Sequence, residues 1–127
     1  MEARIIDQNN EAIALLDVYP LSAGHILVVT RSHSSKIQEL GPEDMISLFG
    51  LVSKMAMVLE ISLNVKATLI AIHNGREAGQ EINHVHVHVI PRSNDDGAGP
   101  VHSMFKDRIF LDENEMDKIM FKIKNHV

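Results

Sequence analysis

The sequence predicts an α+β fold in a single domain, with a mainly antiparallel sheet of about five strands, one long helix and a C-terminal helix. Three observations carry that prediction. Short segments rich in Ile, Leu and Val recur between polar turns. Between the third and fourth of these, apolar residues repeat at helical spacing. The 127 residues are enough for one substantial core and too few to expect two.

The elements follow in order. "ARII" (3–6), "AIALLDV" (12–18) and "HILVVT" (25–30) read as strands separated by the turns "DQNN" and "PLSAG". Strands so close in sequence must meander antiparallel, because a parallel pair needs a long crossover. Gly41, Pro42, Glu43 and Asp44 open a helix, with proline in its first turn and acids at the positive end of its dipole. Met45, Leu48, Phe49, Val52, Ala56 and Leu59 are expected to form its buried stripe. A fourth strand, "ATLIAIH" (67–73), precedes the glycine-containing loop "NGREAGQEIN" (74–83). The fifth is "HVHVHVIPR" (84–92), ended by Pro91 because a residue without an N–H cannot continue a central ladder. "SNDDGAGP" (93–100) is a loose segment dividing this body, about 3–92, from a tail, 93–127. In the tail Asp112 and Glu115 form a capping-box pattern, and Met116, Ile119, Met120 and Ile123 line one side of a lid or packing helix.

Composition narrows the function. A net charge of -5 provides no basic face for a nucleic acid. No run approaches the roughly 18 apolar residues of a membrane span, and "MEARIIDQNN" lacks the order of a signal peptide, so neither a membrane partner nor export is expected. Cysteine is absent, which excludes a disulfide framework and a cysteine-based zinc site or nucleophile and fits a cytoplasmic chain.

The chemistry concentrates in His84, His86 and His88. Side chains on a strand alternate between faces, so this segment shows imidazole on one side and Val85, Val87 and Val89 on the other. The valines belong in a core, and the histidines border a cleft. Three readings compete: a solvated strand without a task, a metal site built on histidines at i and i+2, and nucleophilic attack on phosphorus. For the metal reading, no Asp or Glu sits at a spacing that marks it as a third ligand. For the nucleophile reading, a neutral imidazole does not repel a phosphate as a carboxylate would, and a second, protonated histidine can steady phosphoryl oxygens. Protonating one imidazole also disfavours protonation of its neighbours, which keeps one free to attack. Gly75 and Gly79, just ahead, allow backbone N–H groups to approach phosphate oxygens, although no P-loop pattern is present.

"DVYPLSAGHILVVTRSH" followed by "NGREAGQEINHVHVHVIPR" resembles the histidine triad family of nucleotide-binding proteins over roughly residues 3–92. The resemblance implies a homodimer of α+β protomers that cleaves a nucleoside 5′-monophosphate, of purine preference, from a phosphoramidate or a dinucleoside polyphosphate. No metal and no cofactor are implied. His86 would be the nucleophile, His88 the phosphate contact and His84 the organiser, with His25 behind them. Asp17 would hold the ribose hydroxyls, with Leu16 and Val18 beside the base. His73, Asn74, Gly79, Gln80, Glu81, Ile82 and His88 would line the phosphate and leaving-group side. Two positions depart from the family. His73 stands where an amide is usual, and Glu81 where a hydroxyl residue often contacts phosphate. Relatives that bind zinc use a cysteine pair with histidines at the positions of His33 and His84, and this chain has no cysteine. His33 then reads as a surface or structural histidine, while His102 and His126 lie outside the resemblance. A nucleotide-binding module without turnover and a metal-dependent hydrolase remain the alternatives.

Overall fold

The computed structural model describes residues 2–127. It contains β1 (Ile5–Gln8), β2 (Ala12–Leu16), β3 (Ile26–Thr30), α1 (Pro42–Ser62), β4 (Ala67–Ala71), β5 (His86–Arg92) and α2 (Glu113–Lys124). The strands form one sheet in the order β1-β2-β3-β5-β4, with every pairing antiparallel. The chain divides into two compact units, Met1–Asp96 and Gly97–Val127.

In the first unit, alternation decides which side of each strand is core. Ala12 and Ala14 of β2, Ile26 and Val28 of β3, and Val85, Val87 and Val89 at β5 are buried. They meet Leu48, Leu51, Val52, Met55 and Leu59 of α1, so one side of the sheet is covered by that helix. The core seam of α1 differs from the expected stripe. Leu51 and Met55 join Leu48, Val52 and Leu59, whereas Phe49 is 38% exposed and Met45 and Ala56 are only half-buried. The neighbour of Leu48 in sequence sits about 100° around the helix, which turns Phe49 off the seam. By length and composition α1 could also cross a membrane, contrary to the expectation that no run approaches that limit. Here its apolar face lies against the sheet instead.

Strand ends shift in ways that matter for the site. β2 stops at Leu16, so Asp17 and Val18 leave the sheet at its end. Gly24 makes the next turn with φ 96°, a conformation that other residues rarely adopt, and a Cβ there would also crowd the Leu63 side chain, so the turn entering His25 favours glycine. Pro91 does not end β5. It pairs in register with Thr68 of β4, and the strand runs on to Arg92. The β3 ladder has already ended at Ile26 opposite Val89, so one flank of the strand carries no ladder at Pro91.

In the second unit, α2 begins as its sequence predicts. The Asp112 carboxylate accepts the Glu115 N–H at 2.8 Å. None of the residues of α2 is buried, the Met116–Ile123 stripe included.

Candidate active site

The fifth strand begins at His86 rather than at His84, and alternation along it and through the two residues before it builds the site. Val85, Val87 and Val89 are 2%, 0% and 0% exposed in the core, while His84, His86 and His88 stand half-buried on the opposite face. Cross-strand register then fixes their neighbours. Leu15 lies opposite Leu27, Leu27 opposite His88, and His88 opposite Ala71. The aliphatic face of β2 and β3 is thus continuous with the imidazole face of β5.

Hydrogen bonds assign each ring its tautomer, and His86 differs from the rest. Nδ1 of His86 lies 2.8 Å from the His84 carbonyl oxygen. A carbonyl only accepts, so Nδ1 carries the proton and Nε2 of His86 keeps a free lone pair. The His84 ring is held separately, with Nε2 2.6 Å from the Thr30 carbonyl and Nδ1 3.3 Å from Nδ1 of His33. His84 therefore orients His86 through its backbone, and His33 braces His84.

His88 belongs to a second chain of bonds. The Leu21 N–H donates to Nδ1 of His25 at 3.0 Å, which leaves the His25 proton on Nε2. That Nε2 donates to Nδ1 of His88 at 2.9 Å. His88 must then carry its own proton on Nε2, a buried atom with no partner among the described residues. A backbone bond from the Asp17 N–H to the His25 carbonyl, 2.9 Å, extends the β2–β3 ladder and sets Asp17 beside this pair. One Asp17 oxygen accepts the Tyr19 N–H at 2.8 Å, and the other lies 3.5 Å from Nε2 of His25.

Burial lowers the pKa of His25 and outweighs the attraction of Asp17. His88 falls to about 4, first through burial and then through repulsion from His25, His86 and His73. The expectation that a protonated partner steadies the phosphate is therefore corrected for His88. At neutral pH it offers a neutral N–H donor.

This shift has a consequence for stability. Below pH 6.5 the unfolded chain binds a proton at His88 that the folded chain refuses until the pH nears about 4. The contribution is fully present above about 6.5 and is lost as pH falls through about 4. Thermal melts between pH 7 and 4.5 are expected to show falling stability, less steeply in His88→Asn. An equal pH dependence in the variant would remove His88 as the cause.

A cavity of about 460 Å³ opens over these groups. Leu15, Leu16, Val18 and Leu27 give it an aliphatic wall beside Asp17, with the exposed Tyr19 next to them. His86, His88, His73, Gly79, Glu81 and Ile82 form the other end. Asn74 and Gln80 do not line it. Asn74 accepts the Ile37 N–H and donates to Gln38, both at 2.9 Å. Gln80 accepts the Gly75 N–H at 2.8 Å and donates to the Ser35 and Ile82 carbonyls at 2.7 and 3.0 Å. Both amides brace the loop against the segment before α1. Sequence reasoning missed Leu15, Tyr19 and Leu27, of which the two-residue period of β2 and β3 could have placed the leucines on this face.

The metal reading also changes shape. Donor atoms of Asp17, His25 and His88 lie within 4.8 Å of one another, although no sequence spacing marks them as a set. A cation there would displace the bond from His25 to His88.

A sequence profile described as the HIT domain matches residues 1–95. An HIT-like protein of Methanocaldococcus jannaschii is 37% identical over 95 residues, 75% of this chain and 73% of that protein. The asymmetrical bis(5′-nucleosyl)-tetraphosphatase of Schizosaccharomyces pombe is 36% identical over 65% of this chain and 46% of its own length. The adenosine 5′-monophosphoramidase of the same yeast is 34% identical over 67% of this chain and 61% of its own. The match thus spans less than two thirds of either named enzyme. Among solved structures, an HIT family protein from Bacillus anthracis superposes with a TM-score of 0.84 at 27% identity, covering 100% of this chain and 89% of that one.

Proposed function

The chain belongs to the HIT domain family, and from that premise we propose that it cleaves a nucleoside 5′-monophosphate, with AMP the expected product, from a phosphoramidate or a dinucleoside polyphosphate. The observation that carries the reading is the tautomer of His86. Its Nδ1 proton is held by the His84 carbonyl at 2.8 Å, which leaves Nε2 as a lone-pair nucleophile.

In this reading the base lies along Leu16 and Val18, and the Asp17 carboxylate accepts the ribose hydroxyls. The free N–H of His88 donates to a phosphoryl oxygen, stabilising charge without bringing a second positive ring beside His86. Nε2 of His86 attacks phosphorus, and the P–N bond forms as the bond to the leaving group breaks. Water then attacks phosphorus and breaks the P–N bond, giving the nucleoside monophosphate and free His86. Both kinds of substrate occur in the names of similar proteins, a tetraphosphatase and a phosphoramidase.

A homodimer is part of the same proposal. Ile46, Met57 and Ile61 on the outer side of α1 are 74%, 56% and 74% exposed, and β4 is an edge strand whose Ile70 is also exposed. Pairing that edge and covering that stripe in a second copy would remove both from water. A second reading, metal-dependent hydrolysis, draws on the proximity of Asp17, His25 and His88.

The test is turnover of adenosine 5′-phosphoramidate and of diadenosine tetraphosphate, each with and without a chelator. Release of AMP unaffected by chelator is expected. Activity lost in chelator and restored by a divalent cation would favour the metal reading, and AMP binding without turnover of either compound would make the chain a binding module.

A further inference from the structure

Among the described residues, His73 is the imidazole lining the cavity that has no hydrogen-bond partner. It follows β4 rather than belonging to the triplet, is half-buried, and sets its ring 5.4 Å from that of His88 at 64°. Its ring packs over the turn at Gly79, where a Cβ would meet Cδ2 at 3.5 Å. Neither of its ring nitrogens is hydrogen-bonded among the described residues. The contrast with its neighbours is sharp. Nδ1 of His86 is tied to a carbonyl and Nδ1 of His88 to His25.

The charges around it define what is missing. β5 presents His86 and His88, the segment after β2 presents Asp17, the loop before β5 presents Glu81, and His25 stands behind His88. No lysine or arginine lines this cavity among the described residues. Cleavage of a phosphoramidate nevertheless needs a proton, because an amine cannot depart from phosphorus as an anion. His86 must stay unprotonated at Nε2 to attack, and His88 is held neutral with its one proton shared to the phosphate side. Among the imidazoles that line the cavity, His73 alone can take part in proton transfer without breaking a hydrogen bond of the fold or losing the attacking lone pair.

We infer that His73 is the proton donor to the leaving group, an assignment that rests on the reading of His86 as nucleophile. As the P–N bond to His86 forms, the imidazolium of His73 gives its proton to the departing nitrogen or oxygen and becomes neutral. In the second step neutral His73 takes a proton from the attacking water as the P–N bond breaks, which restores the imidazolium and frees His86. Protons balance over the cycle with no outside group. An amide at this position could hold a phosphate oxygen but could not make either transfer, so His73 favours substrates whose leaving group must be protonated, amines above all.

The experiment compares wild type with His73→Gln on two substrates, adenosine 5′-phosphoramidate and the p-nitrophenyl ester of AMP. Nitrophenolate departs without a proton. The variant is expected to lose about 100-fold in kcat/KM on the phosphoramidate, with the loss on the ester at least about tenfold smaller. Calorimetric titration with AMP checks that the variant's pocket is folded. Equal losses on both substrates would overturn the assignment. A wild-type protein that turns over neither substrate would instead overturn the nucleophile reading, and this inference with it, before any variant is made.

Discussion

His86→Ala is expected to lower turnover of a nucleotidyl substrate by about 10,000-fold or more while leaving a folded protein that still binds AMP. The size of the loss follows from the role. In the proposed role the attacking atom has no substitute within the triplet, because Nδ1 of His88 is bonded to His25 and the His84 ring is held by Thr30 and His33. Stability should change little. His86 is half-buried on the face away from α1, and its hydrogen bond to the His84 carbonyl is worth about 0.5–1.5 kcal/mol. AMP affinity should persist, since Asp17, the aliphatic wall and His88 are untouched. Steady-state kinetics and calorimetry on the same preparation check both halves. Turnover within about tenfold of wild type would show that another group attacks.

One residue further along, the consequence reverses. Val87→Asp is expected to destabilise the fold by about 3–5 kcal/mol, since it leaves a charge buried without a partner. Val87 is 0% exposed, lies opposite Val28 in register, and faces the α1 side of the sheet. A domain of this size has a total stability of only about 5–15 kcal/mol, so the loss removes much of the margin. Thermal melting should show a midpoint lower by at least about 10 °C, or no cooperative transition at all. A melt equal to that of wild type would contradict the placement of Val87 in the core. Together the two substitutions separate the two faces of one strand, the first removing chemistry and the second the support beneath it.

Much of this arrangement was legible in the sequence, because strand alternation is strictly two-residue and needs no tertiary information. "HVHVHV" states its own faces. The helix seam was less legible. A spacing of three or four admits several neighbouring stripes, and only contact with β2, β3 and β5 selects Leu51 and Met55 over Phe49. The bond between His25 and His88 spans 63 residues and depends on the register of β3 against β5, which no local pattern states. The neutral state of His88 follows from that bond and from burial, and so was out of reach as well. Asn74 and Gln80 resemble loop residues that meet a phosphate, yet both answer a nearer demand, the unpaired N–H groups of Ile37 and Gly75. Loops carry no periodicity from which the direction of a side chain could be read.

The central claim is that phosphorus is transferred to an imidazole of this strand and then to water. The most direct measurement is the stereochemical course of hydrolysis of an adenosine phosphorothioate substrate of known configuration in isotopically labelled water. Two in-line displacements, first by Nε2 of His86 and then by water, predict net retention at phosphorus. Net inversion would mean that water attacks directly, and would contradict the account.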